Sequence, residues 1–72
     1  MPITMRAARV NAGMTQAAAA QDLGVTKTTL ANYEAYKTIP DIKTAKKMAM
    51  IYGLTIEDII FFADDLALSR TT

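Results

Sequence analysis

The sequence predicts an all-α domain built from five short helices, and three features carry that expectation. Helix-forming residues dominate, and no run of alternating β-branched residues competes with them. Gly13, Gly24 and Gly53 each follow an apolar-periodic stretch, where a left-handed residue commonly ends a helix. Thr15, Thr26, Asp41 and Thr55 stand just ahead of the next stretch, where a side-chain oxygen accepts a backbone N–H left over at a helix start.

The first helix is expected from Ile3 to Ala12, with Met5, Ala8, Arg9 and Ala12 on one face and Gly13 closing it. Thr15 caps a second helix, Gln16 to Leu23, which ends at Gly24. Thr26 caps a third, about Lys27 to Ala35. Proline disfavours helical backbone in the residue before it, so Ile39 is extended and a loop from Tyr36 to Pro40 follows. Asp41 opens the fourth helix, where its charge suits the positive end of the helix dipole. That helix ends at Gly53, with Ile42, Ala45, Met48, Ala49 and Tyr52 as its apolar stripe. Thr55, with Asp58 three residues on as a partial capping box, opens a fifth helix lined inside by Ile56, Ile59, Ile60 and Ala63. Helices this short are not stable alone. The expected core is therefore Leu23, Val25, Leu30, Tyr33, Ile42, Met48, Tyr52, Leu54 and Ile56.

Composition narrows the function classes. A chain of 72 residues is one domain, near the lower size at which a hydrophobic core folds alone. It has neither Cys nor His, and so lacks thiolate and imidazole metal ligands and the commonest general base. These absences argue against an enzyme, and no cofactor, metal or small-molecule ligand is expected. Asp64 and Asp65 read as tail solubility. The apolar stretches fall short of a membrane span, and the start Met1-Pro2-Ile3-Thr4-Met5 lacks a signal-peptide pattern, so a cytoplasmic protein with no membrane partner is expected. Net charge is only +1, but Arg6, Arg9, Lys27 and Lys37 outnumber Asp22 and Glu34 in the front half. Such an asymmetry lets one face meet phosphates.

The informative segment runs from Thr15 to Glu34: two short helices joined by a tight turn at Gly24-Val25-Thr26. Ala20 lies where the helices cross, and its small side chain permits close approach. Gly24 makes a turn that a Cβ hinders. Val25 plugs the corner, while Leu30 and Tyr33 anchor the third helix. At about 100° per residue, Thr28, Ala31, Asn32 and Ala35 then point away from the core. This outward face is short-chained and polar, slim enough to enter a groove about as wide as a helix.

The segment resembles the helix-turn-helix of the phage repressor and Cro family, which includes lambda repressor. The matching residues are Thr15, Gln16, Ala20, Gly24, Val25, Thr26, Leu30, Tyr33 and Glu34. Arg9, Gly13, Lys37, Pro40, Ile42, Ala49, Gly53, Leu54, Ile56, Asp58 and Ile60 also fall where that family keeps similar residues, so the likeness runs through about Phe61. It implies a compact five-helix lambda-repressor-like domain over residues 1–62, with the helix-turn-helix at helices two and three and a tail at 63–72. It further implies a cytoplasmic, bacterial or phage-encoded repressor that binds an inverted-repeat operator in double-stranded DNA as a homodimer.

Roles follow from the resemblance residue by residue. Lys27, Thr28, Ala31 and Asn32 would read base edges in the major groove. Gln16, Thr26, Thr29, Lys37, Thr38 and Lys43 would meet the phosphate backbone. Arg9 and Glu34 would form a structural ion pair tying the first helix to the third. The chain departs from the family at Ala8 and Ala19, where leucine is usual, so Met5 and Met14 are needed to fill the space between the first two helices. It departs again at Tyr36, where glycine is usual. Tyrosine is costly at positive φ, so the third helix is expected to run further or to end through a different turn.

Large apolar residues crowd the C-terminal stretch Ile59-Ile60-Phe61-Phe62. Small monomers rarely expose several such groups together. A symmetric dimer contact of Phe61, Phe62 and Leu66, with Met50 or Ile51, is one expectation; the alternative folds Phe62 and Leu66 back onto the chain's own core. A different functional class, an antitoxin-like or adaptor protein-interaction module on the same fold, would use the same patch.

Overall fold

The computed structural model describes residues 2–63. The elements follow in the order β1 (Ile3–Thr4), α1 (Met5–Asn11), α2 (Gln16–Leu23), α3 (Lys27–Glu34), α4 (Ile42–Ile51), a single 3₁₀ turn (Ile56–Asp58) and β2 (Ile59–Ile60). Each α-helix starts on a side-chain cap. The hydroxyls of Thr4, Thr15 and Thr26 accept the N–H of Ala7, Ala18 and Thr29 at 3.0, 3.1 and 3.0 Å. Asp41 Oδ1 accepts the N–H of Thr44 at 2.8 Å, and that bond holds its carboxyl below the usual range.

The four helices also end alike. In each, the residue after a left-handed one returns its N–H to a carbonyl five residues back. The pairs are Met14 to Arg9 at 3.2 Å, Val25 to Ala20 at 3.0 Å, Lys37 to Asn32 at 3.0 Å and Leu54 to Ala49 at 2.8 Å. This motif needs one left-handed residue. Three helices use glycine, but α3 uses Tyr36, at φ 59°. The third helix thus neither runs on nor finds another turn: it ends at Glu34, with Ala35 as cap. A non-glycine residue held there costs about 1–2 kcal/mol. Opposing that cost, the Tyr36 hydroxyl donates to the Ile60 carbonyl at 2.6 Å.

Both chain ends depart from the five-helix expectation. There are four α-helices among the described residues, and α1 begins at Met5, because Ile3 and Thr4 are extended and pair in parallel with Ile59 and Ile60. The expected fifth helix is one 3₁₀ turn, closed by the Thr55–Asp58 capping box. The chain then extends, with Ile59 at φ −120° and ψ 135°. The β-branched pair Ile59-Ile60 suits a pleated strand better than a helix, and the N-terminal Ile3-Thr4 supplies its partner. Burial follows the strand period: Ile59 and Phe61 are in, Phe62 is out. Phe61 therefore belongs to the monomer core at 6 % exposure and is not presented to a partner. Leu66 lies outside the described residues.

Met5, Leu30 and Met48 are the largest wholly buried side chains. Around them pack Ala8, Ala19, Ala20, Leu23, Ala45, Ala49, Tyr52, Ile59 and Phe61, with Met14, Val25, Tyr33, Leu54 and Ile56 partly buried against this cluster. Met5, at 0 % exposure, fills the space left by Ala8 and Ala19, which are themselves fully enclosed. Met14, partly buried against the same cluster, adds a second flexible thioether there. Ile42, expected in the core, is 65 % exposed. It shares the stripe of Ala45, Met48 and Ala49 but sits in the first turn of α4, where the covered length of the stripe has run out.

Candidate nucleic-acid interface

The interface is built on α2 and α3, which pack against each other across the Gly24 turn. Gly24 takes φ +74°, so the turn closes without strain and Val25 tucks partly beneath it. Leu30 pins α3 from below at 0 % exposure. The opposite side of the helix holds Lys27 and Thr28, both exposed, then Ala31 and Asn32, both half-buried, and Ala35, exposed beyond the last turn. No side chain on that face after Lys27 is longer than asparagine, so a partner can approach close to the backbone.

The joint that holds α3 in place is a buried ion pair with two attachments. Arg9 Nε donates to Glu34 Oε2 at 2.7 Å, and a second guanidinium nitrogen reaches Oε1 at 3.3 Å. The two side chains are 11 % and 5 % exposed. Arg9 Nη1 also donates to the Met14 carbonyl at 2.8 Å, and Gln16 Nε2 donates to Glu34 Oε1 at 3.0 Å. One cluster therefore ties α1, the start of α2 and the end of α3. Such a pair contributes little net stability, but it fixes geometry, and losing one partner strands a buried charge. Tyr52, just past α4, adds a buried hydroxyl with no hydrogen-bond partner among the described residues. Burial, reinforced by the Glu34 carboxylate and partly countered by Arg9, pushes that phenol up to about 12.

Beside this joint lies an open basin of about 530 Å³, lined by Arg6, Arg9, Thr15, Gln16, Ala17 and Lys27. Among the described residues no carboxylate lines it. Glu34 neutralises Arg9 from behind, which leaves Arg6 and Lys27 as the positive rim. The basin sits at the N-terminal end of α2, where unpaired N–H groups and the helix dipole favour an anion. The structure thus brings Gln16 and Lys27 together with Arg6, which the sequence marks as a charge without marking a role. The available signal was spacing: Arg6 precedes Arg9 by three, which puts both on one side of α1.

The remaining expected contacts are distributed around this centre. Thr26 is first of all a helix cap: its hydroxyl accepts from the Thr29 backbone and donates to Thr29 Oγ1 at 2.9 Å. That leaves the Thr29 hydroxyl with its own proton to give. Lys37 and Thr38 are exposed on the loop after α3, between half-buried Tyr36 and buried Pro40. Lys43 is exposed in the first turn of α4. Phe62 is 53 % exposed and Met50 74 %. No helix among the described residues is long and apolar enough to cross a membrane.

Comparison with known proteins agrees with this geometry. The chain belongs to the Cro/C1-type helix-turn-helix family, whose sequence profile matches residues 5–59. It is 40 % identical over 52 residues to an uncharacterized HTH-type transcriptional regulator of Methanocaldococcus jannaschii, covering 72 % of this chain and 79 % of that one. It is 34 % identical over 65 residues to another uncharacterized HTH-type transcriptional regulator, of Archaeoglobus fulgidus, covering 90 % and 93 %. Both relatives are archaeal. No solved structure matches the chain significantly.

Proposed function

We propose that the chain is a sequence-specific, double-stranded DNA-binding transcriptional regulator that inserts α3 into the major groove. The observation that carries this reading is the two-sidedness of α3: Leu30 is wholly buried, while Lys27, Thr28, Ala31 and Asn32 form a slim outer face. Lys27 donates to guanine O6 or N7, Asn32 hydrogen-bonds a base edge, and Thr28 and Ala31 offer methyl groups to thymine. The basin of Arg6, Gln16 and Lys27 takes a backbone phosphate, and Thr29, Lys37, Thr38 and Lys43 supply further contacts around it. Gln16 keeps one amide N–H for the phosphate while the other holds Glu34.

The regulator acts as a homodimer on an inverted repeat, because one short helix reads only a few base pairs and twofold pairing doubles the contact. Phe62 and Met50 are the exposed apolar side chains that such a contact would cover. Occupying an operator in this way would make the chain a repressor. Both named relatives are regulators by description, which supports the same reading.

The test is a set of duplex affinities across salt for the wild type and three variants. Affinity falls steeply as salt rises, since it rests on phosphate neutralisation. Asn32→Ala and Lys27→Ala change sequence preference by about 1–3 kcal/mol per affected base pair, while Gln16→Ala weakens all sites alike. The reverse pattern, with Gln16→Ala altering preference and Asn32→Ala uniform, removes the assignment of roles. Binding indifferent to salt removes the DNA reading and leaves a protein partner in its place.

A further inference from the structure

Tyr36 is the one non-glycine among the described residues with positive φ, and it stands at the exit of the helix proposed to read DNA. A glycine ends each of the other three helices through the same hydrogen-bonding motif. Ending a helix therefore explains neither the tyrosine nor its hydroxyl, which reaches across to the Ile60 carbonyl of β2 at 2.6 Å. Its effect is to clamp the following loop at one end. Pro40, buried, clamps the other. Between the two clamps Lys37, Thr38 and Ile39 all face solvent.

We propose that Tyr36 is a positioning residue for DNA binding, its phenol holding the loop so that Lys37 and Thr38 meet the phosphate backbone beside the groove. The inference rests on the DNA-binding reading above and deepens it. A lysine on an untethered loop loses conformational freedom when it docks, and that loss opposes binding. The tether to β2 removes part of the loss beforehand. Local strain kept in place by a surrounding anchor is the form that such preorganisation takes in a backbone.

The experiment uses a mixed-sequence duplex of about 30 base pairs, long enough for two half-sites one helical turn apart. Tyr36→Phe removes the hydroxyl and leaves the ring. It lowers affinity about three- to tenfold, the worth of one hydrogen bond. It also flattens the dependence of log affinity on log salt, by about 0.9 for each phosphate that is no longer neutralised. A double-mutant cycle adds the readout that a merely structural role does not move: Lys37→Ala weakens the wild type more than it weakens Tyr36→Phe. Should Tyr36→Phe fail to fold, Tyr36→Gly takes the same φ without strain and carries the same cycle. Unchanged affinity and salt slope in the variant, or an equal effect of Lys37→Ala in both backgrounds, overturns the proposal. No duplex binding by the wild type overturns the functional reading itself, a failure visible before any substitution is made.

Discussion

Arg9 shows how one side chain can set the position of the α3 face proposed to read DNA. Its guanidinium is divided between Glu34 at the end of α3 and the Met14 carbonyl just before α2, and Gln16 closes the cluster from the other side. Removing Glu34 leaves a buried cation without its counter-charge. Glu34→Ala is expected to lose about 3–5 kcal/mol of stability, read from the denaturant midpoint. Tyr52 nearby gives the opposite expectation, because its buried hydroxyl has no partner among the described residues to lose. Tyr52→Phe is therefore neutral or slightly stabilising. The phenol also titrates at about 12 in the folded chain against 10.0 in the open one. A raised value means that its contribution is complete below pH 10.0 and is lost as pH climbs through 12. The wild type should lose stability across that window and Tyr52→Phe should lose less; parallel pH profiles would contradict the burial account. At this scale the caps Thr15, Thr26 and Asp41 and the three glycine stops were legible, since each acts through its immediate neighbours, whereas the Thr4 cap was hidden inside the expected first helix. Tyr36 was not, because its conformation is held by Ile60, far along the chain.

Helices and strands differed in how far they could be read. The four α-helices were legible to within two residues, since the spacing of Met5, Ala8 and Arg9, or of Ala45, Met48 and Ala49, repeats over more than one turn. The parallel pair of Ile3-Thr4 with Ile59-Ile60 was illegible, because two residues carry no period and the partners lie at opposite ends of the chain. Four consecutive large apolar residues, Ile59 to Phe62, fit a helix or a strand equally well, and the partner strand decided between them. The strand period buries Phe61 and leaves Phe62 as the aromatic presented to solvent. The turn between α2 and α3 gives a test at the same scale. A Cβ on Gly24 meets nothing within 4 Å, so the effect of Gly24→Ala is conformational alone. It should lower stability by about 1 kcal/mol through the φ of +74°. A melting temperature unchanged by the substitution would mean that the turn relaxes freely.

The whole molecule presents a polar, slim face on α3 and, elsewhere, exposed apolar side chains that include Phe62 and Met50. The first was legible in the sequence because an amphipathic helix with small outer residues has a recognisable pattern, and the Thr15-to-Glu34 segment carries it in full. The basin beside it was only partly legible, since Arg6 joins Gln16 and Lys27 through the packing of α1. For the exposed apolar side chains, Phe62→Ser is expected to raise the dimer dissociation constant in sedimentation while leaving the melting temperature of dilute protein unchanged. A drop in that temperature would show that Phe62 is part of the monomer's own packing. The central claim is that α3 reads sequence, and selecting bound sites from random duplex DNA tests it most directly. The account predicts enrichment of an inverted repeat whose half-sites lie about 10 base pairs apart, with the enrichment lost in Asn32→Ala. A pool that stays random after repeated selection, with the wild type folded and at low salt, would contradict it.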